Sequence, residues 1–271
     1  MINKTLVKKR FSDKAATYND HAIVQRKMAN HLLDYCENQL EKQPLSILEI
    51  GSGTGTMTKK LANVYPDASI DAVDLAPGMV ETAKRYVTND NVSFHCADFE
   101  EFTFENTYDL VISNAAFQWF NYLPETLVKT CRHVNEGGLF LFSTFGSSTF
   151  CELNQAVKWA VERLSYNKRV KVSQDFYSLQ DLFAMLEAGI DKEHFSFHGT
   201  EERHVELFPD VKAFLKSVKE IGASNSNSHH YSQSISLFKE MIETYNDNFL
   251  TEDQRIPATY HSLYLYVTRE L

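Results

Sequence analysis

The feature that most constrains this chain lies at residues 47–61, "ILEIGSGTGTMTKKL", where an apolar run breaks into glycines at alternate positions and resumes as helix-forming sequence. Gly51, Gly53 and Gly55 carry no Cβ, so backbone here can take left-handed dihedrals and approach a ligand closely before a helix begins. Such a turn belongs at the carboxyl end of a strand in an α/β sheet. The surrounding pattern agrees. "SILEI", "ASIDAVDL", "VSFHC", "YDLVIS" and "GGLFLFSTF" are short apolar or β-branched runs, and they alternate with helix-like segments at 57–64, 77–87 and 123–134. That rhythm predicts βαβ units and a parallel sheet, and the near-continuous apolar character of the strands suits a sheet covered on both faces.

Outside these units the spacing is different. Residues 22–40 carry apolar side chains at Ile23, Met28, Leu32, Cys36 and Leu40, the period of an amphipathic helix. After Phe145 the polar stretch 147–178 is too long for a simple connection and is read as an inserted lid. Helices are expected at 179–188, 211–221 and 232–248, the last two joined by the flexible link "GASNSNSHHYS". "FSFHGTEERHVELF" and "ATYHSLYLYVTREL" read as the remaining strands.

With 27 Lys and Arg against 36 Asp and Glu the chain carries a formal charge of -9, which repels nucleic acid and anionic membranes. Cys36, Cys96, Cys131 and Cys151 have neither C-x-x-C pairing nor metal-ligand spacing with the histidines, so they read as reduced thiols and no metal is expected. The basic amino terminus turns polar before any apolar core, and no run of apolar residues is long enough to span a bilayer. A cytoplasmic protein is expected.

A dinucleotide fingerprint would place its third glycine at position 56, which is Thr56. Asp74, ending the second strand, can accept hydrogen bonds from ribose hydroxyls, but nicotinamide enzymes use a carboxylate there too. Taken with Glu49, "LEIGSGTGTMT" resembles motif I of the class I S-adenosylmethionine-dependent methyltransferases. The resemblance implies a Rossmann-like, seven-stranded, mostly parallel sheet with an antiparallel last strand, helices on both faces and helical lid insertions. It also implies residue roles. Gly51, Gly53 and Gly55 would wrap the methionine part of S-adenosylmethionine, Glu49 would hold the loop, and Asp74 would take the ribose. Leu75 and Met79 would line the adenine and ribose site, Asp98 would accept from the adenine amino group, and the backbone beside Phe99 would read the ring edge. Asn114 and Ala115 would touch the cofactor, with Gln118 and Trp119 facing the acceptor. "SNAAF" lacks the prolines common in enzymes that methylate DNA bases, which argues against nucleobase chemistry.

The whole chain resembles the malonyl-acyl-carrier-protein O-methyltransferases of biotin synthesis. Beyond the cofactor motifs, the match rests on Phe11, Ala15, Ala16, Tyr18, His21, Ala22 and Gln25, on Val218, Lys219, Ile221, Gly222 and Ala223, on "FGSSTFCELNQA", and on "ATYHSLYLYV". The implied reaction is methyl transfer to the free carboxylate of a malonyl group on acyl carrier protein, or on coenzyme A. That carboxylate is already ionised near pH 7, so no general base is needed. Tyr18, Phe176 and Tyr177 are candidates to close over the reacting centre. Lys219, Arg203 or Arg132 would guide the carboxylate. Lys8, Lys9 and Arg10, with "NKRVK" at 167–171, would dock an acidic carrier. A single-domain monomer follows: an N-terminal helical lid (1–45), a cofactor-binding core (46–146), a lid insertion (147–178) and a C-terminal part (179–271) with a helical insertion at 208–250. A methyltransferase for another small acceptor, such as a quinone precursor or a free carboxylic acid, would share every cofactor motif.

Overall fold

The computed structural model describes residues 1–40, 42–102, 104–168, 170, 173–223 and 234–271, so most of the expected link at 222–232, with Arg169 and Lys171, lies outside the described residues. Three helices come first, α1 (Lys4–Lys14), α2 (Tyr18–His21) and α3 (Ile23–Gln39). The core then runs β1 (Ser46–Ile50), α4 (Thr56–Val64), β2 (Ser69–Asp74), α5 (Pro77–Tyr86), β3 (Val92–Cys96), β4 (Tyr108–Asn114), a 3-10 turn at Phe117–Trp119, α6 (Leu123–Arg132) and β5 (Val134–Phe145). The remainder is α7 (Cys151–Arg163), α8 (Leu179–Gly189), β6 (Phe195–Phe208), α9 (Val211–Glu220), α10 (Ile235–Phe249) and β7 (Ile256–Arg269). Local chemistry sets several of these boundaries. Proline opens α5, and Ser178 and Asp181 form a reciprocal capping box at the start of α8.

The seven strands form one sheet in the order β3-β2-β1-β4-β5-β7-β6. β1 to β5 are parallel, while β7 runs antiparallel to both β5 and β6. Strand order reverses between β1 and β4, which makes the crevice beyond their carboxyl ends the topological switch point where α/β sheets bind ligands. Both faces are covered. One apolar layer joins α3, α4, α7 and α10 to the sheet through residues such as Met28, Leu61 and Tyr245. The other packs α6 and α8 through Leu127, Leu182 and Leu186.

Ahead of α3, the N-terminal segment folds into α1 and α2, and its position is fixed by contacts distant in sequence. A Cβ on Gly78 would lie 2.6 Å from the Ser12 carbonyl oxygen, so only glycine lets α1 cross α5 this closely. Gly222, at φ +74°, lies beneath Arg10 and Phe11 in the same way. Two ion pairs pin the ends of α1: Lys4 to Asp98 and Glu100 at 3.0 and 2.7 Å, and Lys14 to Glu220 at 2.7 Å. The "Ile-Gly-Ala" element at 221–223 thus forms part of the bed on which the N-terminal helices lie.

Candidate active site

Two adjoining cavities occupy the switch point. The first is lined by Gly51 and Gly53 from the loop after β1, by Asp74, Leu75 and Met79 at the end of β2 and the start of α5, and by Asp98 and Phe99 after β3. Asn114 and Ala115 close it from the end of β4, and α1 covers it with Lys4, Val7 and Phe11. Most of the residues expected to hold the cofactor are therefore brought together.

The glycine loop is organised by Asp74. One carboxylate oxygen accepts from the Gly53 N–H at 2.8 Å and the other from the Ala76 N–H at 2.8 Å. Gly53 sits at φ +54°, and a Cβ placed on it would meet nothing within 4 Å because it would point into open cavity. Gly51 is needed for a different reason, since its Cβ would fall 2.4 Å from that of Ala116. Gly55 turns the other way, against Ala83 and Val87 of α5, and does not line the cavity. Its glycine serves helix packing at φ +80°, which corrects its expected place among the ligand-wrapping residues. Glu49 also stands behind the cavity wall. It is buried, its Oε2 has no hydrogen-bond partner, and burial pushes its carboxyl up to about 8. Ser52 Oγ in the loop is likewise buried without a partner. Open space over Gly53 and buried polar atoms without partners beside it fit a loop shaped around a polar ligand.

At Asp98 the structure adds a partner that sequence reasoning missed. Its Oδ1 accepts from Lys4 Nζ at 3.0 Å and from the Glu100 N–H at 3.1 Å. Any ligand amino group reaching Asp98 must therefore share it with the lid.

The second cavity, of about 280 Å³, lies between the end of β5, α7, α9 and α1. Its walls are mainly aromatic and aliphatic, including Phe145, Phe150, Phe176, Phe214, Val218 and Tyr260. Gln118 lines it with both ends of its amide engaged, donating to the Ala115 carbonyl at 2.6 Å and accepting from Thr144 Oγ1 at 3.0 Å. Phe11, Tyr18, Ala115 and Trp119 line both cavities and form the partition between them. Phe11 packs edge-on against Trp119, ring centroids 5.3 Å apart, and at 6.3 Å from Tyr18. Ala115 adopts φ +50°, a strained value for a non-glycine residue, where the chain leaves β4. The Tyr18 hydroxyl is pushed well above the usual phenol range by burial and by the charge of Asp74, so it is a proton-bearing donor at neutral pH.

No acidic side chain lines the second cavity among the described residues, and Arg10 is its one lysine or arginine. Lys219, Arg203 and Arg132, expected to guide a carboxylate, do not reach it: Lys219 is exposed on α9, one position past the lining Val218. Arg10, grouped by sequence with exposed Lys8 and Lys9, is separated from them by the helix turn. Tyr177 is exposed and lies away from both cavities. Phe11, expected only as part of a motif, lines both cavities and is a site residue that sequence reasoning missed.

Among the described residues no group of three or more His, Cys, Asp or Glu is placed to hold a metal ion, and no helix is long and apolar enough to cross a membrane.

Comparison with known proteins agrees with this architecture. A methyltransferase-domain family model matches residues 47–138. The chain is 43% identical over 272 residues to a malonyl-[acyl-carrier protein] O-methyltransferase of Priestia megaterium, covering 99% of each, and 40% identical to that of Bacillus anthracis, covering 100% of this chain and 99% of the relative. Among solved structures it superposes on the YcgJ protein of Bacillus subtilis with a TM-score of 0.61 at 17% identity, covering 89% of this chain and 99% of that one. It also superposes on the plantazolicin methyltransferase BpumL, solved with a pentazolic substrate analogue and SAH, with a TM-score of 0.57 at 15% identity, covering 99% and 96%. With full-length coverage, an intact glycine loop and the paired cavities, the chain belongs to the malonyl-[acyl-carrier protein] O-methyltransferase family.

Proposed function

We propose that this enzyme transfers the methyl group of S-adenosylmethionine to the free carboxylate of a malonyl thioester on acyl carrier protein, giving the methyl ester. The observation that carries this reading is the contrast across the Phe11, Tyr18, Ala115 and Trp119 partition. On one side a cavity bears Asp74 and Asp98, suited to a cationic, hydroxyl-rich donor; on the other a mainly apolar cavity has no acid among its described lining residues, suited to an anionic acceptor.

When bound, S-adenosylmethionine supplies an electrophilic methyl on a sulfonium. The acceptor carboxylate forms the new O–C bond as the C–S bond breaks, its electron pair staying on sulfur, and no proton moves. The protein therefore has alignment and water exclusion to contribute rather than a base. Asp74, with the Gly53 and Ala76 N–H groups, fixes the loop around the donor. Tyr18 can donate to a substrate oxygen at the partition, while Trp119, Phe11 and Phe176 narrow the passage and keep it dry. Gln118 holds the 3-10 turn that carries Trp119.

The carrier would dock where the acceptor cavity reaches the surface. Ser173, Gln174 and Phe176 line both that cavity and an outer recess bearing exposed Lys158 and Lys168. Charge reversal of both lysines should slow turnover of malonyl carrier protein about tenfold or more while changing that of malonyl-pantetheine by less than about twofold, because rim charges act on encounter with an acidic partner. Equal slowing of both would remove the recess from the docking surface.

The reaction itself is tested by mass spectrometry of malonyl carrier protein incubated with enzyme and S-adenosylmethionine. One added methyl is expected on the malonyl group, and neutral hydroxylamine, which cleaves the thioester, should release it from the carrier together with that group. An unmodified carrier would overturn the reading.

A further inference from the structure

We propose that Lys4 is a positioning residue that makes recognition of the donor's adenine and seating of α1 a single event, so that the acceptor wall is completed only over the correct donor. This deepens the reading of the first cavity as the S-adenosylmethionine site and rests on it. Lys4 opens α1, lines that cavity and is half-buried. Its ammonium reaches Asp98 Oδ1 at 3.0 Å and Glu100 Oε2 at 2.7 Å, and lies 4.9 Å from the centre of the Phe120 ring. Glu100 is itself fixed, accepting from the Tyr122 N–H at 2.6 Å and the Asn121 N–H at 3.1 Å. The Asn121 side chain then holds Ile2 by both backbone groups, accepting from its N–H at 2.7 Å and donating to its carbonyl at 3.1 Å. Polar contacts therefore tie the start of the lid to the rim of the donor cavity.

Two features make this tie respond to what fills the cavity. At Asp98 both donors, Lys4 and the Glu100 N–H, converge on Oδ1, and no described residue donates to Oδ2. An adenine amino group can take Oδ2 without displacing Lys4. In covering the carboxylate it excludes water, and the attraction between Lys4 and Asp98 grows as the local dielectric falls. Along α1, Val7 is the one buried side chain; it lines the donor cavity, as does Phe11 a turn later. The helix thus gains apolar packing from whatever occupies that cavity, and elements with so little buried contact of their own open readily. Phe11 also lines the acceptor cavity, so seating α1 at Lys4 sets the wall against which the acceptor lies. A purine with a 6-oxo group would set acceptor against acceptor at Asp98 Oδ2, filling the cavity without seating the lid.

The test is hydrogen–deuterium exchange of wild type, Lys4→Met and Lys4→Arg, each saturated in turn with SAH and with S-inosylhomocysteine, its 6-oxo analogue, with occupancy set by calorimetric titration. In wild type SAH should slow exchange across residues 7–14 by about tenfold or more and the analogue by less than about threefold, while both protect the glycine loop at 51–55 alike. In Lys4→Met, saturating SAH should protect the glycine loop as in wild type yet leave α1 exchanging within about threefold of its rate without ligand. Lys4→Arg keeps the charge and should recover most of the protection. At saturating S-adenosylmethionine, Lys4→Met should also raise the KM for malonyl carrier protein by about fivefold or more with kcat less affected, although Lys4 does not line the acceptor cavity. A merely structural brace predicts faster exchange of α1 with an unchanged response to SAH. Equal protection of α1 by the two ligands in wild type, or SAH-dependent protection of α1 retained in Lys4→Met, would overturn the coupling. Absence of SAH binding to wild type would overturn the donor site on which the coupling rests, and the coupling with it.

Discussion

Replacing Asp74 with alanine should weaken SAH binding by more than about 100-fold. Two backbone donors, from Gly53 and Ala76, converge on this carboxylate, one on each oxygen at 2.8 Å. Hydrogen bonds to a charged group contribute roughly 1.5–3 kcal/mol each, so removing the acceptor releases the loop at the residue that faces the open cavity and strips the site of its acceptor for ribose hydroxyls. Asp74→Asn should rescue little. An amide offers one acceptor oxygen, and its NH2 would then face the second N–H donor. The bland possibility, that Asp74 is only a structural brace, predicts a fall in the melting temperature of the free protein with cofactor affinity changing in proportion. Titration calorimetry with SAH separates the two: affinity within about threefold of wild type in a folded Asp74→Ala protein would remove Asp74 from the donor site.

Much of this arrangement is legible in the sequence, for reasons specific to particular residues. The parallel sheet was legible because buried strands such as β1 and β4 are predominantly apolar, with runs such as Ile47-Leu48 and Leu110-Val111-Ile112, and because each is followed by a helix of matching period. The strand at Phe195–Phe208 matched its expected span to the residue, since an edge strand half open to solvent must alternate. Asp74 and Asp98 were legible because one ends β2 and the other lies two residues past β3, both on the carboxyl side of the parallel strands.

What sequence could not supply was direction. Gly53 and Gly55 have the same identity and neighbouring positions in one motif, yet one faces open cavity and the other is wedged against Ala83 and Val87. Lys219 was a reasonable cation to choose, but successive helix residues are turned by about 100°, so Val218 lines the cavity while Lys219 faces solvent. The same rotation separates Arg10 from Lys8 and Lys9, which sequence alone groups as one basic cluster. α1 escaped periodic analysis because Val7 is its one buried residue among polar neighbours. Its place is set by glycines and ion pairs far along the chain, at Gly78, Gly222, Asp98 and Glu220, and no local pattern encodes these.

Glu49 carries the second large prediction, because its burial places a carboxyl that ionises only near pH 8 directly under the glycine loop. Desolvation is the chief cause, the charge of Asp74 adds to it, and the Thr58 hydroxyl opposes it only in part. In the unfolded chain the same group ionises near its ordinary value of 4.5. Between those two values the folded protein holds a proton that the unfolded chain releases. The stability contributed by this group is therefore fully present below about pH 4.5 and is lost as pH rises towards 8, at about 1.4 kcal/mol per pH unit. Glu49→Gln keeps the shape and removes the titration. Relative to wild type, the unliganded variant should gain several kcal/mol at pH 8, a rise in melting temperature of roughly 10 °C for a chain of this size, and the difference should shrink steadily to nothing by pH 4.5. Binding of a cationic donor reverses the preference in wild type, since a positive charge near the loop favours the ionised carboxylate. SAM binding at pH 7 should then release close to one proton from wild type and none from Glu49→Gln, which calorimetry in buffers of different ionisation enthalpy can measure. Parallel stability profiles for the two proteins from pH 5 to 8 would mean that Glu49 is ionised throughout, and the proton release on donor binding would have to come from another group.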